Sequence, residues 1–202
     1  MTLLEKLRAM RVRGVPLVGI STANAAATIE MICKSFNDQT PKLVWDLIQG
    51  IRGLNEAGQK VVASMLPTGG NEFGPAPTGI AQKPVEFLER CLDFPGTVPV
   101  GPTEKKRITG TVVFMMNAHL LLDTLPGDRE AIIQGIWNLR DPFKADARML
   151  IMLGTSFRLP PELLGDVMLL DEPYPNAEQI ERVVRRTYAN TSNEPPGPEE
   201  MG

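Results

Sequence analysis

Histidine occurs once and cysteine twice in 202 residues, so these side chains cannot assemble a metal site. His119 has no second histidine to work with, and no Gly-x-Ser-x-Gly elbow is present, which excludes Ser-His-Asp hydrolysis. Cys33 and Cys91 lie far apart, each beside apolar residues in a helix-like stretch. They read as reduced core residues of a cytoplasmic protein. Aromatic residues make up only 5%, and there is no excess of basic charge, so a nucleic-acid module is disfavoured. No segment approaches a membrane span, and the opening MTLLEKLRAM lacks the apolar centre of a signal peptide. No internal repeat is visible.

What remains is an ordinary globular composition, with 43% hydrophobic and 22% charged residues. The net charge of −3 equals the three glutamates Glu194, Glu199 and Glu200, so residues 1–190 are formally neutral. The length predicts one domain over 1–190, followed by a disordered tail or linker over 191–202, TSNEPPGPEEMG.

Apolar periodicity predicts helices over 2–12, 25–36, 85–94 and 129–140, and over a last helix capped by Asn176. Lys6, Arg8, Arg11 and Arg13 give the first helix a basic side, read as a solvated face or a contact for an acidic partner or phosphate. Strands are predicted at 15–20, 43–48, 111–116, 149–153 and 167–170. QGIRG at 49–53 reads as a turn, 55–66 as either helix or strand, and 67–83 as a long exposed loop rich in Gly and Pro. Asp141-Pro142 is expected to end a helix. Strands thus alternate with helices. This predicts an α/β protein, a three-layer α/β/α sandwich with a mostly parallel five-stranded sheet.

The central stretch is TVVFMMNAHLLL, Thr111 to Leu122. It reads as a buried strand that delivers Asn117 and His119 at its carboxyl edge. PLVGI ends in Ser21, Thr22 and Asn24, and MLIML ends in Gly154, Thr155 and Ser156. Ligands of open α/β sheets bind at that edge. A phosphate loop needs glycines, whose N–H groups wrap the phosphates, and a lysine to meet their charge. The pattern GxxxxGK followed by Ser or Thr is absent, GxGxxG does not occur after the first strand, and Ser21 to Thr28 contains neither Gly nor Lys. The helix dipole leaves only weak attraction for an anion there. Asn117 cannot supply the carboxylate charge that holds Mg²⁺, and a lone His119 is a poor ligand for it. Asp171-Glu172 reads as a structural turn. If a nucleotide binds, Ser21, Thr22, Ala23, Asn24, Ala25, Ala26, Asn117, His119, Thr155 and Ser156 are the residues to line it. No residue is assigned a catalytic or metal-binding role.

The stretch from Phe143 to Tyr188 resembles the N-terminal region of a family of AAA+ ATPases that includes bacterial, phage and chloroplast FtsH-like proteins. Arg148, Gly154, Thr155, Leu159-Pro160, Glu162-Leu163, Asp166, Glu172-Pro173 and Pro175 carry the resemblance. Upstream, PLVGIST, Trp45 with Gly50, and VVFMMNAHLLL extend it over about residues 12–190. The resemblance implies a degenerate, P-loop NTPase-like domain without a Walker A motif, preceding a complete AAA+ module. Asn117 stands where family members often carry an acid, and no arginine finger precedes the final strand. The implied role is assembly, partner binding or regulation of the ATP-hydrolysing module, in a cytoplasmic homo-oligomer. The alternative is a divergent domain that binds and hydrolyses ATP with Mg²⁺ through the loop after the first strand.

Overall fold

The computed structural model describes residues 1–65, 81–94, 97–99, 105–108, 110–123, 128–172, and 180, 181, 184, 185 and 188. It divides into two units, Met1–Glu172 and Pro173–Gly202. In the second, Ile180, Glu181, Val184, Arg185 and Tyr188 are helical. The expected cap Asn176, the expected boundary after residue 190 and the expected loop at 67–80 lie outside the described residues.

The first unit is a six-stranded sheet with helices on both faces. Its strands are β1 Leu17–Ser21, β2 Lys42–Asp46, β3 Gly50–Gly53, β6 Val112–Met115, β7 Met149–Gly154 and β8 Val167–Asp171; β4 Thr97–Pro99 and β5 Lys105–Arg107 form a separate antiparallel pair. The order is β3-β2-β6-β7-β1-β8, parallel throughout except for β3. The five expected strands are all present. The sixth, β3, comes from QGIRG, which was expected to be a turn. Asp46 makes it a hairpin, because its carboxylate accepts from the N–H groups of Ile48 and Gln49 and pairs with Arg52 at 2.8 Å.

Successive residues of each buried strand point to opposite faces and feed two cores. On one face, α1 Leu3–Val12 and α2 Ala25–Ser35 place Leu7, Ile29 and Ile32 over Val18, Ile20, Phe114 and Ile151. On the other, α3 Glu56–Ser64, α4 Pro84–Leu92, α5 Ala118–Leu122, α6 Asp128–Asn138 and α7 Arg140–Ala145 cover Leu17, Trp45, Val113, Met115 and Leu150. Trp45 is fully buried, stacks on Phe87 at 4.8 Å and donates its indole N–H to the Ala81 carbonyl.

Local chemistry sets the helix ends. Thr2 and Glu5 form a reciprocal capping box on α1. Asn55 decides the ambiguous 55–66 stretch in favour of helix. Its Oδ1 accepts from Gly58 N and Lys42 N, and its Nδ2 donates to the carbonyls of Asp38 and Thr40. Gly58 must be glycine there, since a Cβ would lie 2.2 Å from the Lys42 carbonyl oxygen. Pro142 does not end a helix as expected; it sits in the first turn of α7, where its missing N–H has no partner to lose. Arg11 is not a solvated cation. It donates to the Gly110 carbonyl at 3.2 Å and lies over the Phe36 ring.

Trp45→Ala removes a stacked ring and leaves the Ala81 carbonyl without its donor. The expected loss of stability is about 3–5 kcal/mol, read by urea unfolding. A loss below about 1 kcal/mol would mean that this core collapses around the gap.

Candidate functional site at the carboxyl edge of the sheet

Strand β1 lies between β7 and β8, with Ser21 level with Gly154 on one side and Asp171 on the other. The chain leaving β1 enters α2 on one face. The chain leaving β7 passes through Phe157 and Leu159 to a 3-10 turn, Pro161–Leu163, on the opposite face. Adjacent parallel strands whose connections diverge to opposite faces open a crevice at their carboxyl ends. All ten residues expected to line a nucleotide lie on the three connections that leave β1, β6 and β7 at this edge.

The loop after β1 is only Thr22-Ala23-Asn24 before α2 begins, and it uses its own donors. Asn24 Oδ1 accepts from Ala27 N at 3.1 Å, and Thr22 Oγ1 accepts from Asn24 N at 3.0 Å. Ala23, Asn24 and Ala26 are exposed, while Ser21 and Ala25 are half-buried. Beneath the loop, the buried hydroxyls of Thr22 and Thr28 are 2.8 Å apart. The Thr28 hydroxyl also lies 2.6 Å from Glu172 Oε2 and 2.9 Å from the Asn24 carbonyl. Glu172 N donates to the Ser21 carbonyl, so this residue ties the end of β8 to the end of β1 through backbone and side chain. A carboxylate therefore stands beside the first turn of α2, where the helix dipole favours negative charge.

On the neighbouring strands, Asn117 turns the chain from β6 into α5 with a left-handed backbone, φ +54°, which asparagine tolerates better than most residues. Its side chain is exposed and makes no capping bond. His119, two residues on, packs its ring against Gly154, where a Cβ would lie 2.5 Å from Nδ1. Gly154 thus makes room for the imidazole. His119 Nε2 is 3.2 Å from Thr155 Oγ1, and Nδ1 is buried without a hydrogen-bond partner. The tautomer with its hydrogen on Nε2 fits best, leaving a bare lone pair rather than a stranded N–H. Thr155 and Ser156 are both exposed. The edge thus gathers hydroxyl, amide and imidazole groups, together with the carboxylates of Asp46, Asp171 and Glu172 at strand ends.

Among the described residues, no group of three His, Cys, Asp or Glu side chains could hold a metal. Both cysteines are free thiols. Burial pushes Cys91 far up from its ordinary pKa, against the opposing charge of Arg148, and it raises half-buried Cys33 as well. No helix of the described residues is long and apolar enough to cross a membrane.

With this geometry in hand, the chain matches the family described as SpoVK-like AAA ATPase, N-terminal domain, over residues 3–172. It belongs to that family. The fold is accordingly the AAA, P-loop-like α/β sandwich. The SpoVK-like chain is also similar to a chain of the E. coli MS115-1 HORMA:CdnC:Trip13 complex, at 13% identity and a TM-score of 0.48. That alignment covers 94% of this chain and 58% of the other. It is similar as well to a chain of the Drosophila ORC structure bound to DNA, at 12% identity and a TM-score of 0.39, covering 86% and 91%. No curated protein matches.

Sequence reasoning overlooked two side chains in this SpoVK-like domain. Ser21 to Thr28 spans eight residues, the length of a P-loop pattern, and Thr28 falls on its final Ser/Thr position. That register was a legible signal. Glu172, read as part of a structural turn, is its partner from 144 residues away, and no local pattern announces such a pair.

Thr28→Val keeps the shape and removes the hydroxyl. It is expected to lower stability by about 1–3 kcal/mol, because the Glu172 carboxylate loses a buried donor. Glu172→Gln, which keeps an acceptor, is expected to lose less. A Glu172→Gln loss as large as that of Thr28→Val in urea titrations would show that the bond needs the carboxylate charge. A second expectation concerns acid. Burial works against the Asp46 charge, but the N–H groups of Gln49 and Ile48 and the Arg52 guanidinium outweigh it and hold the carboxyl below its usual range. A lowered folded value stabilises above the unfolded pKa of about 3.9 and is lost as pH falls through the folded value. Asp46→Asn should flatten stability over that acid window, and an unchanged acid limb would refute the assignment.

Proposed function

We propose that this chain is a non-catalytic AAA-like domain that serves assembly, partner engagement or regulation of an ATP-hydrolysing AAA+ module. One observation carries the reading. The loop that would wrap phosphate turns two of its donors inward, with Asn24 taking the Ala27 N–H and Thr22 taking the Asn24 N–H. Two further features support it. Position 27 is alanine where a P-loop has its lysine, and the hydroxyl at position 28 is held by Glu172. A nucleotide triphosphate brought here would meet a carboxylate and no cation from the loop. Asn117 adds no charge for Mg²⁺, and His119 is engaged with Thr155. Partner engagement by homo-oligomers in the cytoplasm belongs to the same reading, and the two free thiols are compatible with it.

The second reading is a divergent nucleotide site built from Ser21–Ala26, Asn117, His119, Thr155 and Ser156. The convergence of those residues on one crevice favours it.

Calorimetric titration with ATP and Mg²⁺ separates the two, with Ser21→Trp as a steric control. The expected result is no saturable heat up to millimolar ATP. Saturable binding that Ser21→Trp abolishes would overturn the non-catalytic reading in favour of a working nucleotide site.

A further inference from the structure

The opposite, amino-terminal edge of the sheet has a different character. Helix α1 ends there, and its last exposed residues are Arg8, Val12 and Arg13. Arg8 and Val12 are four apart and share one helix face. Val12 is 89% exposed. Gly14 then turns the chain with φ +70°, and a Cβ built on it would lie 3.9 Å from Lys144 Cγ. The stem of exposed Lys144 therefore runs along the turn and brings a third cation to the same place. The start of β6 lies at this edge too, where Arg11 holds the Gly110 carbonyl.

These cations are not neutralised locally. Among the described residues, Lys6, Arg8 and Arg13 make no ion pair or hydrogen bond. The nearby carboxylates are engaged elsewhere: Glu5 caps α1 at its far end, and Asp146 pairs with buried Arg148 at 2.9 Å. Only Asp141, bound to Arg140, also acts on Lys144. The negative end of the α1 dipole offsets a fraction of one charge and fades within a turn.

We propose that this edge is a docking surface for an acidic protein segment in which carboxylates flank one apolar side chain. The cations choose the charge of the partner. Val12, bare among them, chooses a peptide over a phosphate polymer, because a duplex backbone has no apolar group to set against it. The neutral body points the same way, since it lacks the long-range field with which nucleic-acid binders gather phosphates. The proposal rests on the reading of this chain as a partner-binding domain and names the partner's chemistry.

The probe is a fluorescein-labelled peptide, Glu-Glu-Leu-Glu-Glu, followed by anisotropy against the full chain at low and moderate salt. Saturable binding that weakens as salt rises is expected. Arg8→Glu with Arg13→Glu should weaken it by about tenfold or more, and Lys144→Glu should weaken it further. Val12→Ser should lower affinity about threefold without altering the salt slope, a readout that a purely electrostatic surface would not give. All four side chains are exposed, so the cost is limited to that of a wrong-sign charge at a helix end, the chain stays folded at the assay temperature by its melting curve, and lost binding is not lost folding. Absence of saturable binding, or affinity unmoved by the charge reversals, would overturn the proposal. So would equal binding by a single-stranded oligonucleotide, since the surface would then accept any polyanion. These failures leave the ATP titration untouched, and ATP binding would leave this surface standing, so the two readings fail separately.

Discussion

Strand β1 is paired along its whole length on both sides, with β7 and with β8, and is buried on both faces. That double pairing fixes where every polar side chain at the crevice can be. Ser21 is held level with Gly154 and Asp171 by the ladder, and Thr22 N closes it on the Gly154 carbonyl at 2.8 Å. A slip of one residue would send Val18 and Ile20 to the wrong core, so the register is strongly specified. Gly19 belongs to the same constraint. A Cβ there would lie 2.6 Å from Leu169 Cδ2, so the Leu169 side chain lies over the bare glycine. Because the ladder holds β8 beside β1, Glu172 arrives beside Thr28.

The chemistry at that point follows from a competition for few donors. The first turn of any helix offers N–H groups without intrahelical partners. A phosphate site leaves them to the ligand. Here the Asn24 side chain takes one of them, that of Ala27, and Glu172 sets a carboxylate beside the same turn from the neighbouring strand. A polar group buried under such a loop is stable only when paired, and Thr22, Thr28 and Glu172 pair with one another. The same side chains that make the loop stable without a ligand are the ones on which the proposed non-catalytic reading rests.

Much of the fold was legible because buried parallel strands are long apolar runs and their helices are amphipathic. The five strands expected at 15–20, 43–48, 111–116, 149–153 and 167–170 are all present, though β2 ends at Asp46 and leaves Leu47 and Ile48 exposed in the turn. What local pattern could not give was β3. Only Ile51 of its four residues is apolar and buried, so no alternation marks it, and its pairing comes from the turn that Asp46 organises. Asp141-Pro142 misled because a proline in a first helical turn and a proline that stops a helix look alike in sequence. At the candidate site the residues lie at the strand ends, while their side-chain partners leave no local signal in the sequence. His119 was visible as a strand-end histidine, whereas its seat on Gly154 and its contact with Thr155 depend on how α5 lies over β7.

Arg148 shows the same limit from the amino-terminal side. In sequence it is one basic residue before an apolar strand. In the fold it is 5% exposed, paired with Asp146, laid over the Phe94 ring at 5.1 Å, and left with Nε unpartnered. Burial lowers its pKa, while the Asp146 charge acts in the opposite sense. A guanidinium in that setting contributes little net attraction, because desolvation offsets most of the Coulomb gain. Its removal would nonetheless take from Asp146 its 2.9 Å ion pair beside the start of β7. The buried arginine is therefore a fixed part of the amino-terminal edge, and the exposed cations Arg8, Arg13 and Lys144 are the ones free to meet another molecule. At the carboxyl edge Thr22, Thr28 and Glu172 satisfy one another, whereas at the amino-terminal edge Arg8, Arg13 and Lys144 leave their charge open, which is why the proposed docking surface lies there.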